Sequence, residues 1–163
     1  MARKYWLMKC ELEECSFDEL KTDRPNSTGK WRGVRNYQAR NFIRDEMKKG
    51  DMVLFYQSNC KSPGIPGIAE VVKEAYPDPC AFDPDSNYYD EESTPQEPRW
   101  YSVDVRWKKA FRKYVSLSDI KARGSLEKMR VVQRWQRLSI QPVTKVHFDI
   151  VCKMGGLGVY SKV

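Results

Sequence analysis

WRGVRNYQARNFIRDEMKKGDMVLFYQSN, residues 31–59, sets a turn, a helix and a buried strand side by side, and its reading decides the class of fold. Over 36–49, Ala39, Phe42, Ile43 and Met47 recur at helical spacing and share one face, while Arg40, Arg44 and Lys48 recur every fourth residue beside it. The spacing predicts an amphipathic helix with a basic flank, ended by Gly50. Met52-Val53-Leu54-Phe55-Tyr56 lacks polar alternation, which predicts a strand covered on both faces.

Working outward, the run over 65–72 carries Pro66 and Gly67 and is expected to pair with that strand across the turn at 58–64. KYWLMK at 4–9 predicts another strand, and Ser16 with Glu19 has the spacing of a capping box opening a short helix. Breakers at Pro25, Asn26, Ser27 and Gly29 make 22–33 a loop. In the second half, Val103, Val105 and Trp107 alternate with polar residues and predict a half-buried strand over 100–107. Ser118 and Ser125 are expected to cap two short helices, 137–141 to form a short strand, and 144–154 a helix stopped by Gly155 and Gly156. Strands interrupted by helices without regular alternation predict an α+β fold: a mixed sheet or small barrel decorated by helices.

The length of 163 residues suits a single domain, 1–163, with one interruption. Residues 77–98 contain five prolines and seven of the chain's 22 acids but none of its 29 Lys and Arg residues. That acidic, Pro-rich loop reads as an irregular excursion from the body. It leaves the remainder with 29 basic against 15 acidic residues, a balance that favours a polyanionic partner.

Several function classes lack their parts. The five cysteines form no CxxC pair and have one histidine, His147, for company, so neither a zinc site nor a disulfide framework is expected. That histidine also leaves no catalytic Ser-His or Cys-His arrangement, and no Walker or dinucleotide-binding glycine motif is present. The expectation is a non-catalytic protein without cofactor or metal. No apolar run approaches the roughly 20 residues that span a bilayer, and the opening residues carry no signal-peptide core. We expect an intracellular monomer that engages no membrane, nuclear in a eukaryote and otherwise cytoplasmic.

Binding chemistry has more to work with. Trp31 precedes Arg32, Gly33 and Arg35, and Trp100 starts a strand; two such rings flanking a polar slot would stack a base, although either ring serves equally well as core. RWKKAFRKY at 106–114 interleaves Arg106, Lys108, Lys109, Arg112 and Lys113 with aromatic residues. It suits a phosphate backbone, or equally an exposed strand end that charge protects from aggregation.

YWLMKCEL (5–12), WRGVRNYQARNFIR (31–44), GDMVLFYQSN (50–59), GIAEVV (67–72), EAYPD (74–78), PRWYSVDV (98–105) and RLSIQPV (137–143) together resemble the EVE domain family. The resemblance implies a PUA-like fold, a twisted mixed β pseudo-barrel with peripheral α-helices, and kinship with the YTH domains that cage methylated adenine. It further implies a reader of a modified base, with modified cytosine in DNA the leading candidate. Carried onto this chain, the base pocket would comprise Lys9, Cys10, Trp31, Arg32, Gly33, Val34, Asn36, Ser58, Asn59, Trp100 and Asp104. Trp31 would form one wall and Trp100 a second. Arg35, Arg40, Arg44, Lys108, Lys109, Arg112 and Arg137 would meet phosphates. Two departures stand out: Lys9-Cys10-Glu11-Leu12 replaces the family's KSEP, and Gln57 replaces the histidine of FYHSN. The competing expectation is an RNA-binding accessory domain that reads shape and phosphates without a modification. Hydrolysis of a small nucleotide has the fewest residues to support it.

Overall fold

The structure is a computed structural model that describes residues 3–11, 15–133 and 137–157. Its centre is a six-stranded mixed sheet in the order β2-β5-β4-β3-β1-β6. The strands are β1 (Tyr5–Glu11), β2 (Thr28–Trp31), β3 (Met52–Ser58), β4 (Gly64–Pro77), β5 (Tyr101–Ser116) and β6 (Ile140–Val143). β1 and β3 run parallel, and every other pairing is antiparallel. β2 and β6 remain as edges, so the sheet is open, consistent with a PUA-like pseudo-barrel.

The unbroken apolar character of β1 and β3 follows from burial on both faces. Tyr5, Leu7, Met52, Leu54 and Tyr56 face a first core, together with Phe111, Val115, Phe148 and Val151. Their neighbours Trp6, Met8, Val53 and Phe55 alternate into a second core with Phe17, Leu20, Ala39 and Ile43. Helices α3 (Leu117–Ala122) and α4 (Lys145–Met154) therefore cover one face. The other is covered by α1 (Phe17–Thr22) and α2 (Tyr37–Asn41).

Local chemistry sets the element boundaries. Ser16 and Glu19 form the expected capping box of α1. Asn36 caps α2 by accepting from the Ala39 N–H at 3.0 Å. The predicted helix over 36–49 is shorter than expected: α2 passes into a π-helical turn, Phe42–Glu46, closed by Met47 N–H donating to the Phe42 carbonyl at 2.9 Å. All four predicted apolar positions nevertheless pack on the second core. Asp51, just before β3, is 3% exposed, and its carboxylate accepts from Trp6 Nε1 and the backbone of Lys4 and Lys48. That carboxylate ties the start of β1 to the end of the π-turn.

Four expectations need correction. The loop at 22–33 contains β2, an edge strand too short for its pattern to outweigh the breakers around it. β5 extends to Ser116, well beyond 107, because β4 pairs with it along most of its length. The cap of α3 is Ser116, whose hydroxyl and Asp119 form a capping box; Ser118 lies inside the helix, and Ser125 sits in a 3-10 turn without a side-chain cap. Finally, β6 begins at Ile140, three residues later than predicted.

Candidate nucleic-acid interface

The last residue of β2 is Trp31, opposite Val103 of β5. Paired residues share a face, so the indole turns toward the second core, where it meets Phe55 edge-on with ring centroids 5.5 Å apart. It remains half-buried rather than sealed. Cys10 and Cys15 pack against the same core, and Val34 is buried in it. Trp31, Val34 and Cys10 thus border one and the same core, with Cys10 opposite Gln57 near the ends of β1 and β3.

The polar side of that neighbourhood is partly committed to the fold. Cys10 Sγ contacts the Cys15 carbonyl at 3.2 Å, and Ser58 Oγ donates to the Cys10 carbonyl at 3.3 Å. Gln57 Oε1 accepts from Phe17 N–H at 3.1 Å, so the residue standing for the family's histidine anchors the start of α1. The side chain of Asn36 is exposed apart from its cap, and Asn59 is exposed with a left-handed φ of 52°. Leu12, the other departure from the family pattern, lies outside the described residues.

Two of the expected pocket residues, Lys9 and Asp104, lie on the other face of the sheet from Trp31. Lys9 alternates with Cys10 and places its ammonium 5.8 Å from the Tyr56 ring, beside the first core. Burial holds its ammonium below the ordinary lysine value. Asp104 alternates with Val103 and opposes Lys30, so it faces away from Trp31. Its carboxylate accepts from Tyr76 OH at 2.5 Å. Burial first, then that carboxylate, raises the Tyr76 phenol above its ordinary value.

Trp100 is not an open second wall. It is 6% exposed, with Tyr37 stacked on it at 4.9 Å and the Arg35 guanidinium 5.3 Å from its centroid. Its Nε1 donates to Asp90 Oδ2 at 2.7 Å. Of the two readings that the sequence left open for this tryptophan, the structure selects core. Tyr37, by contrast, is 53% exposed, an aromatic surface beside the turn that sequence reasoning passed over.

The basic residues divide in the same way. Arg35 is engaged internally: Nη1 bonds Asp78 Oδ2 at 2.9 Å, and Nη2 donates to the Tyr88 carbonyl at 2.6 Å. Arg40 donates to the Arg99 carbonyl at 2.8 Å and lies over Tyr37. Arg32 and Arg137 are exposed; Arg44 is also exposed and pairs with its neighbour Asp45 at 2.8 Å. Lys108 reaches Glu70 at 3.7 Å, whereas Lys109 and Arg112 are exposed, with no ion pair among the described residues. These last three sit five to nine residues beyond Val103, roughly 17–30 Å along β5 from Trp31's partner, so the strand does not bring them to the turn.

The acidic segment is not an excursion either. Asp78, Ala81 and Ser93 are buried, and its carboxylates supply counter-charges to Arg35 and Arg99. A concavity of about 630 Å³ lies elsewhere, against Tyr5, Trp6, Pro142 and Val143, at the opposite end of β1 from Cys10.

Comparison with known proteins settles the family, because the EVE domain model matches residues 4–154. The chain belongs to the EVE domain family. It is 44% identical to thymocyte nuclear protein 1 of Gallus gallus over 92% of this chain and 68% of that protein. The Homo sapiens protein of the same name is 42% identical over 92% of this chain and 73% of that one. Among solved structures, a Pseudomonas syringae protein superposes with a TM-score of 0.87 at 42% identity, covering 93% of this chain and 99% of that one. Human thymocyte nuclear protein 1, crystallised with DNA containing 5-methylcytosine, superposes with a TM-score of 0.85 at 41% identity, covering 93% and 97%.

Proposed function

We propose that this EVE domain is a non-catalytic reader that binds DNA and holds a modified cytosine, swung out of the duplex, against Trp31. The observation that carries the reading is the half-buried indole of Trp31, fixed edge-on against Phe55 at the rim of the second core. Its support from outside the chain is the human relative's crystallisation with 5-methylcytosine DNA. A rigid indole offers a base one π-face at little entropic cost, worth about 1–3 kcal/mol. Backbone groups around Gly33 and Cys10, with Asn36 and Asn59, are the candidates for base-edge hydrogen bonds. The exposed Arg32 and Arg44, with Arg40 beside them, would meet flanking phosphates.

The direct test places 2-aminopurine next to a single 5-methylcytosine in a duplex and follows its fluorescence during titration. Extrusion of the methylated base unstacks the probe, so its emission should rise on saturation and rise much less with the unmethylated duplex. Flat emission with tight binding would argue against extrusion.

A second reading has its own observation. Lys108, Lys109 and Arg112 all lie on β5 away from Trp31, with Lys109 and Arg112 exposed, which suits an RNA or DNA backbone read by shape alone. On that reading methylation leaves affinity unchanged and RNA competes.

A further inference from the structure

Asp78 is 0% exposed, an unusual place for a carboxylate, and one of its oxygens joins two segments. Oδ2 accepts from Gly33 N–H at 2.8 Å and from Arg35 Nη1 at 2.9 Å, while Oδ1 accepts from Cys80 N–H at 2.9 Å. Its own N–H donates to the Trp100 carbonyl at 2.9 Å. Arg35 in turn grips the Tyr88 carbonyl through Nε at 3.2 Å and Nη2 at 2.6 Å. Gly33 has φ of 83°, and a Cβ at that position would lie 2.7 Å from the Tyr88 ring, so the ring lies flush against the turn's backbone. Two residues of the acidic loop, 45 and 55 positions along the chain from Gly33, thus fix the Arg32–Gly33 peptide, the second after Trp31.

We propose that Asp78 and Tyr88 are positioning residues for the base pocket, and that the loop at 77–98 is the brace that holds the turn at 31–36 in its binding shape. The inference rests on the base-reading proposal and deepens it. A turn of this kind, with a left-handed glycine and no strand partner after Trp31, has no regular ladder to hold it. The buried carboxylate provides a fixed acceptor, and the tyrosine ring excludes any side chain at Gly33. Trp31 can then meet a base without first being ordered, which is the gain of preorganisation. The acid excess of the loop also has a local cause: Asp78 answers Arg35, while Asp90 and Glu92 answer Arg99.

The test uses the whole chain as Asp78→Ala and as Tyr88→Ala, with two readouts. Amide hydrogen exchange at Gly33 in the DNA-free protein should be about tenfold faster in each variant, with Leu54 in β3 unchanged. The preference for a duplex with one 5-methylcytosine over the same unmethylated duplex, at fixed salt, should fall to roughly twofold or less, while affinity for the plain duplex changes less than about threefold. A merely structural role would lower both affinities together. Unchanged Gly33 exchange in both variants overturns the brace, whatever the DNA shows. Faster exchange with the methyl preference intact overturns the positioning role. If Asp78→Ala fails to fold, Tyr88→Ala, which leaves the carboxylate paired, decides by the same criteria. A lack of methyl preference in the unaltered protein marks failure of the base-reading proposal, and the positioning role falls with it. Gly33 exchange then still decides whether the brace exists.

Discussion

Trp31 meets Phe55 edge-on, with ring planes at 81° and centroids 5.5 Å apart, and Phe55 is itself fully buried against Phe17. The contact ties a half-buried residue of the second core to its centre, so the orientation of the indole is a property of the fold rather than of a loop. An edge-on partner occupies the indole without stacking on it, which is the arrangement a base-stacking wall needs.

Phe55→Leu should therefore act on stability and binding together. The volume change is modest, but two aromatic contacts are lost, and we expect about 1–2 kcal/mol of destabilisation by urea unfolding. Affinity for methylated DNA should fall more than affinity for plain DNA, because the indole loses its support.

Asp51→Ala should be among the most damaging single changes outside the site. Its carboxylate satisfies Trp6 Nε1 at 2.9 Å and the backbone N–H groups of Lys4 and Lys48 at 3.1 and 2.9 Å. Orphaning three donors around a group 3% exposed should cost about 3 kcal/mol or more in chemical denaturation.

Asp90 gives the protein an acid-sensitive contact. The Trp100 Nε1–H bond holds its carboxyl below the ordinary value, aided by the Glu92 N–H and by the Arg99 and Arg35 charges, against an opposing effect of burial. A carboxyl depressed on folding adds stability above its unfolded pKa of about 4, and that contribution disappears as pH falls through the lower folded value. Asp90→Asn should therefore lose stability at neutral pH and show a shallower decline below about pH 4 in pH-dependent thermal unfolding.

Salt dependence separates the two nucleic-acid readings. If phosphates meet the basic residues of β5, Lys109→Ala and Arg112→Ala should each lower the slope of log affinity against log salt by about 0.9 with duplex DNA. Trp31→Ala should leave that slope unchanged. An effect confined to Arg32 and Arg44 would locate the backbone beside the turn instead.

Periodic elements were legible in the sequence: β1 and β3 because their side chains alternate between two cores, α4 and the α2–π-turn segment because each turns one apolar face to a single core. β2 was hidden because an edge strand of four residues needs only one partner and tolerates Gly29 and nearby turn residues. At the candidate site, the turn was identified but its support was not. A run of acids broken by prolines resembles a solvated loop, and nothing local reveals that Asp78 reaches Gly33, 45 positions away. The engagement of Arg35 and Trp100 was hidden for the same reason: each has the chemistry of a ligand contact, and each is bonded to that loop. The face of the sheet on which Lys9 and Asp104 fall depends on register, which proximity in sequence to Cys10 and Val103 conceals.

The most direct measurement is a four-way comparison at one fixed salt concentration: the unaltered protein and Trp31→Ala, each titrated with a duplex containing a single 5-methylcytosine and with its unmethylated twin. The account predicts a preference for the methylated duplex that Trp31→Ala abolishes, with a loss of roughly 5- to 150-fold on methylated DNA, the equivalent of about 1–3 kcal/mol of stacking, and little change on plain DNA. Equal affinity for both duplexes, unaltered by the substitution, would contradict it.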